Sequence, residues 1–97
     1  MNMHNPPHPG ELISDVYMEP FGYSCRFVAK QLDVSPSTLS RILKGQSGVT
    51  PEMALRLSKA LGRTPESWLS MQDNYDLWQV KNNVNLASVR QIDFAIA

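Results

Sequence analysis

Residues 36–44 read Pro-Ser-Thr-Leu-Ser-Arg-Ile-Leu-Lys, and a helix at about 100° per residue sorts them into two faces. Leu39, Ile42 and Leu43 share one side. Ser37, Ser40, Arg41 and Lys44 share the other, with Thr38 at the edge and Pro36 at the start. This second face is small, hydroxyl-bearing and basic, and it carries no acid. Arginine can donate two hydrogen bonds to guanine O6 and N7, while serine and threonine can bond base edges or phosphate. Lysine neutralises phosphate. A merely solvated helix face would more often mix Glu with Lys. The pattern predicts a helix that reads double-stranded DNA.

Other chemistry finds less support. His4 and His8 flank two prolines without a cysteine or carboxylate partner, so no metal site is expected. Cys25 begins a helix, which can lower a thiol pKa, but no histidine lies near it in sequence. A packed or incidental thiol is the expectation there, not a nucleophile. Neither a G-x-x-x-x-G-K phosphate loop nor a catalytic acid–base cluster occurs. Neither enzyme activity nor a cofactor is expected.

The helices that must carry the basic face are marked at their ends. Ser35-Pro36, Thr50-Pro51 and Thr64-Pro65 each set a hydroxyl before a proline. The hydroxyl can accept a bond from an unpaired first-turn N–H, and proline at the first helical position has no N–H to leave unpaired. Glu52 and Glu66 then meet the positive end of the helix dipole. A further start falls near Pro9-Gly10-Glu11, and Ser24 caps a helix from Cys25. Pro20 with Gly22, Asp33, Gly45 and Gly62 supply the stops. Five helices follow, near 11–19, 25–32, 36–44, 51–61 and 65–82, with no hairpin signal in 1–83. The fold class is all-α.

Within 25–45 about three residues join two short helices, so the helices must cross steeply. Ala29 supplies the small side chain at the contact, and Val34 and Leu39 fill the angle. Asp33 takes the turn, where a left-handed backbone is easiest for Gly and next easiest for Asn or Asp. This is a helix-turn-helix pattern. Residues 1–8 read as a flexible arm, 9–83 as one DNA-binding domain and 84–97 as a tail. Ile92, Phe94 and Ile96 suit a strand, whereas Leu86, Val89, Ile92 and Ile96 suit a helix, so the tail's structure stays open.

Ninety-seven residues fit one small domain. No apolar run approaches the roughly 18 residues of a membrane helix, and one cysteine cannot form an internal disulfide. A cytoplasmic chain is expected. Its zero net charge hides a segregation. Residues 1–25 carry Glu11, Asp15 and Glu19 and no base. Residues 26–63 carry Arg26, Lys30, Arg41, Lys44, Arg56, Lys59 and Arg63 against Asp33 and Glu52. Residues 64–97 are again acidic on balance. A basic middle suggests a polyanionic partner.

The run Ala29, Val34-Ser35, Thr38-Leu39-Ser40-Arg41 and Gly45 resembles the helix-turn-helix of phage repressors and XRE-type regulators. His8-Pro9-Gly10-Glu11-Leu12, Thr50 to Leu57, Trp68-Leu69-Ser70-Met71-Gln72 and Tyr75-Asp76-Leu77-Trp78 narrow it. That combination is similar to HigA-type antitoxins, the DNA-binding halves of HigBA toxin–antitoxin pairs, over roughly residues 8–82. The resemblance implies a five-helix phage-repressor-like domain in which Ser37, Thr38 and Arg41 read bases. Ser40 and Lys44 would flank a phosphate, and Ser24, Cys25 and Arg26 would meet the backbone through helix-end N–H groups. Glutamines of many phage repressors are replaced here by Cys25 and Pro36, so base preference does not carry over. The resemblance also implies an mRNA-cleaving toxin of the HigB type as partner.

Trp68, Met71, Tyr75 and Trp78 run down one side of the last helix, and Leu69, Leu77 and Val80 make a second apolar side. A helix apolar on two sides is buried on two sides. Core burial is expected for Trp68 and Met71, and homodimerisation through Tyr75, Leu77, Trp78, Val80 and the tail. The combined expectation is an antitoxin that represses its operator as a dimer. A stand-alone regulator without a toxin, or an interaction module without DNA affinity, are the alternatives.

Overall fold

The structure is a computed structural model that describes residues 5–95. Its elements are α1 (Pro9–Leu12), α2 (Cys25–Leu32), α3 (Pro36–Leu43), α4 (Pro51–Leu61) and α5 (Pro65–Lys81). There is no strand among the described residues. Four caps form as the sequence predicts. Ser24 Oγ accepts from Phe27 N at 3.1 Å, Ser35 Oγ from Thr38 N at 3.2 Å, Thr50 Oγ1 from Met53 N at 3.2 Å and Thr64 Oγ1 from Ser67 N at 3.0 Å. None of the described helices is long and apolar enough to cross a membrane.

The first helix differs from the expected 11–19. It begins at Pro9 and continues beyond α1 as a π-helical stretch, Ile13–Met18, and a 3-10 turn, Glu19–Phe21. In the π stretch Glu19 N–H reaches back five residues to the Ser14 carbonyl. Five-residue bonding stacks side chains five apart, and Ile13 and Met18 are both buried. Hydrophobic spacing alone does not announce this. Gly10 shows why the start is fixed: a methyl there would run into the Ile42 carbonyl and stand 2.9 Å from Leu43 Cα. The first turn of α1 therefore lies directly on the last turn of α3.

Trp68, Ile13, Leu39 and Leu57 are the largest fully buried apolar side chains, and Ala29 is fully enclosed at the α2–α3 crossing. Trp68 Nε1 donates to the Gly62 carbonyl at 3.0 Å, so the indole's one polar group is satisfied at the end of α4. Met71 is half-buried. Val84 to Ala95 forms neither a strand nor a helix; isolated turns such as Val89 N to Leu86 O are its only regularity. Its apolar side chains are exposed, Phe94 at 87%. A radius of gyration of 17.2 Å exceeds the value of about 12.5 Å for a compact chain of this length, which fits a tail standing off the body.

Residues 5–8 modify the picture of a loose arm, whose first four residues lie outside the described ones. Pro6 is buried and His8 is only 5% exposed. His8 Nδ1 accepts from Gly10 N at 2.9 Å and caps α1, while the ring sits edge-on to Tyr75 with centroids 4.9 Å apart. Burial lowers the His8 pKa below its ordinary value, and Asp76, Glu11 and a bond to the Ser47 backbone offset part of that. The folded chain thus favours neutral imidazole, and protonation at Nδ1 would remove the capping acceptor. Because the folded pKa is the lower one, this stabilisation is present above the unfolded pKa of about 6.5 and is lost as pH falls through the folded value. Between about pH 7 and pH 5 the unaltered chain should lose more melting temperature than His8→Asn, which keeps a capping oxygen without a titratable ring. Equal losses in the two proteins would contradict this role.

Candidate nucleic-acid interface

Asp33 takes the left-handed conformation, φ 58° and ψ 47°, that the three-residue connection needs. Val34 N donates to the Ala29 carbonyl at 3.0 Å and locks the chain back over α2. Arg56 from α4 completes the turn. Its Nη1 donates to the Leu32 and Asp33 carbonyls at 2.9 and 3.0 Å, and its Nε and Nη2 donate to Glu52 Oε2. The carbonyls that α2 leaves unpaired at its end meet a guanidinium held from the next helix but one.

α3 presents the expected face. Pro36, Ser37, Arg41 and Lys44 are exposed, and Thr38 and Ser40 are half-buried. Arg41 and Lys44 form no ion pair among the described residues. Thr38 is less free than its edge position suggests. Its Oγ1 lies 2.8 Å from Ser35 Oγ, and Ser37 Oγ lies 3.2 Å from the same oxygen. The Thr38 hydroxyl is drawn to the helix cap.

The start of α2 lies beside the start of α3. Cys25 Sγ donates to the Pro36 carbonyl at 3.6 Å, so this thiol fastens the two helix ends together. Ser24 and Arg26 are exposed, and Arg26 and Lys30 line an open recess with Ser35 and Pro36. Two cations and the first N–H groups of two helices therefore converge on one side of the molecule, an arrangement suited to phosphates.

Not every base of the middle segment is available for such contact. Arg56 is engaged at the turn, and Arg63 donates to Tyr17 Oη at 3.3 Å and lies 6.0 Å from the Trp68 ring centre. Both were counted alike with Arg41 in the sequence. The Glu52–Arg56 spacing was the one signal that Arg56 has a local partner. Of the expected dimer residues, Leu77 and Val80 are exposed, at 66% and 50%, while Tyr75 and Trp78 are half-buried and Tyr75 packs on His8.

The steep α2–α3 pair, its left-handed hinge and the basic face of α3 define a helix-turn-helix domain. The chain belongs to the helix-turn-helix family, whose pattern matches residues 17–69. It is 35% identical to antitoxin HigA-1 of Vibrio cholerae over 77 residues, covering 79% of this chain and 72% of that relative. The solved structure of antitoxin GraA matches with a TM-score of 0.86 at 34% identity, covering 93% of this chain and 100% of that one. Antitoxin GraA in complex with its operator matches with a TM-score of 0.80 at 35% identity, over 96% of this chain and 97% of that one. The HigA-type resemblance read from the motifs thus recurs over most of the chain.

Arg56→Ala removes the donor from two carbonyls and the partner from Glu52. Unpairing partly buried polar groups costs about 1–3 kcal/mol, or at least about 4 °C of melting temperature in a domain of this size. A thermal melt of Arg56→Ala unchanged from the parent would show that water replaces the guanidinium at the turn.

Proposed function

We propose that this chain is a HigA-type antitoxin: a homodimer that binds operator DNA through α3 and the start of α2, represses transcription there, and neutralises an mRNA-cleaving toxin. The observation that carries the reading is the exposed, acid-free Ser37–Arg41–Lys44 face on a frame matching an antitoxin held on its operator. Arg41, Ser37 and Thr38 read bases. Lys44, Ser40 and the α2 start from Ser24 to Arg26 hold the phosphate backbone. The DNA-binding unit is 9–83 together with the packed residues 6–8. The chain acts by binding, in the cytoplasm where DNA and mRNA are both within reach, and catalyses nothing.

One recognition helix reads only a few base pairs. Two copies related by a two-fold axis read half-sites about 34 Å apart on one side of the duplex. Leu77 and Val80 on α5, with Val84, Leu86, Val89, Ile92 and Phe94 of the tail, are the exposed apolar surface that supports an isologous dimer. Arg41→Ala should cost about 1–3 kcal/mol of specific affinity and relax base preference. Lys44→Ala should weaken all sequences alike and reduce the salt slope by about one unit. Titration of a selected palindromic duplex, read by mobility shift, should end at two chains per duplex. Unchanged affinity in Arg41→Ala, or one chain per duplex, would overturn these assignments.

The toxin reading rests on the relatives' names and on charge. Glu11, Asp15 and Glu19 are exposed on the first helix, with Val16 exposed among them. A ribonuclease that binds RNA tends to be basic, so this acidic face suits it. Reversing both charges, Asp15→Lys with Glu19→Lys, should impair rescue of cells expressing the cognate toxin while leaving operator binding intact. Full rescue by that double variant would remove the first helix from the toxin interface.

A further inference from the structure

Gln72 lies in the middle of α5, away from the basic face, and is only 6% exposed. A buried amide needs partners for both ends. Its Oε1 accepts from Val49 N at 2.9 Å, and its Nε2 donates to Asp76 Oδ1 at 2.9 Å. Gly48 presses against the same amide: a Cβ at that position would stand 3.0 Å from Gln72 Cδ. The loop that follows the recognition helix is thus seated on one side chain of α5.

That loop is bound as tightly at its other end. Gln46 N and Ser47 N both donate to the Arg41 carbonyl, at 2.8 and 3.2 Å. The 46–49 backbone is therefore hydrogen-bonded to Gln72 at Val49 and to the Arg41 carbonyl at Gln46 and Ser47, linking the two residues through four positions of chain. His8 flanks the loop from the other side, lying against Gly45. Further along α5 are Leu77 and Val80, the exposed positions assigned to the dimer.

We infer that Gln72 is a positioning residue for operator recognition: it sets the seat of α3 relative to α5, and so the separation and tilt of the two recognition helices, without touching DNA. The inference rests on the operator-binding dimer proposed above. Methionine, of nearly the same size, would fill the space but offer only a weakly accepting thioether sulfur, leaving Val49 N–H without its amide acceptor. The loop would then be free to shift, and Arg41 with it. A scrambled duplex offers the same phosphates as the selected one, so a shifted helix finds equivalent backbone contacts on it, whereas the base contacts that mark the selected sequence depend on the placement of Arg41.

The test uses a duplex selected by the unaltered chain from a random-sequence pool, a scrambled duplex of equal length, and the selected duplex with its half-sites moved apart by a base pair. Gln72→Met should lower the ratio of selected to scrambled affinity by roughly ten-fold or more, the effect of a lost base contact. Scrambled affinity and its salt slope should stay as they were, and the penalty for altered spacing should shrink. Leu57→Val, a core deletion at a side chain that makes none of these hydrogen bonds, serves as the comparison for stability alone and should leave the ratio unchanged. Should Gln72→Met fail to fold by circular dichroism, Asp76→Ala removes the exposed partner of the amide and, measured at about pH 8 where the His8 imidazole that Asp76 also influences is neutral in both proteins, should lower the ratio in the same direction by less. A folded Gln72→Met, or in its absence Asp76→Ala, with the parent's ratio and spacing penalty overturns the inference and leaves the operator reading standing. Failure of the unaltered chain to select any duplex overturns both.

Discussion

The three residues between α2 and α3 are the constraint on which the rest of the molecule depends. So short a connection keeps the helices from lying side by side, and Ala29, the small residue of α2 that precedes it, is fully enclosed. The crossing demands a left-handed residue at Asp33 and leaves α2 with carbonyls that no following turn can satisfy. Arg56 answers that need from α4, which fixes how α4 approaches the pair. α5 then closes the core with Trp68, whose indole N–H ends on the Gly62 carbonyl of the helix before it. Each later helix is seated by a polar group that the tight turn, or the helix it seats, leaves open.

What was legible in the sequence was local. The hydroxyl–proline pairs at 35–36, 50–51 and 64–65 mark helix starts because the cap is made within three residues of the proline. Asp33 was legible for the same reason, as its conformation depends on its own backbone. The α3 face followed from periodicity, and four of its residues stand exposed as expected. The misplaced features depend on neighbours distant in the chain. His8 read as part of an arm because its partners, Tyr75 and Asp76, lie more than sixty residues on. Gln72 read as one motif letter because its acceptor duty is to Val49, in another element. The Gly10 contact with Ile42 and Leu43 is also non-local, and no spacing rule reports it.

Counting charge illustrates the same limit. Seven bases between 26 and 63 made the middle segment look uniformly suited to a polyanion. The fold divides them by task. Arg56 neutralises carbonyl dipoles and Glu52, and Arg63 is held against Tyr17 and Trp68. Lys59 is exposed on α4 beside Arg56, and Arg26, Lys30, Arg41 and Lys44 remain on α2 and on α3 with its C-terminal cap, where Arg26 and Lys30 line the recess with Ser35 and Pro36. The field that a nucleic acid would meet is therefore smaller than the segment's net charge but better aimed. Aim matters more for discrimination, because a diffuse positive surface favours every duplex alike.

The exposed apolar tail follows from the same economy of a short chain. Val84, Leu86, Val89, Ile92 and Phe94 each stand to gain about 1.5–3 kcal/mol on full burial, and nothing in their own domain covers them. The turns after Lys81 leave these side chains exposed. In the proposed dimer a second copy receives them, so the energy that the small core cannot collect goes to association. Coupling then follows from connectivity. The surface that would hold two copies together continues directly from α5, and α5 carries the Gln72 bond to the loop behind Arg41. Pairing and reading would be set by one helix, so a change in how the copies meet would be felt at the bases.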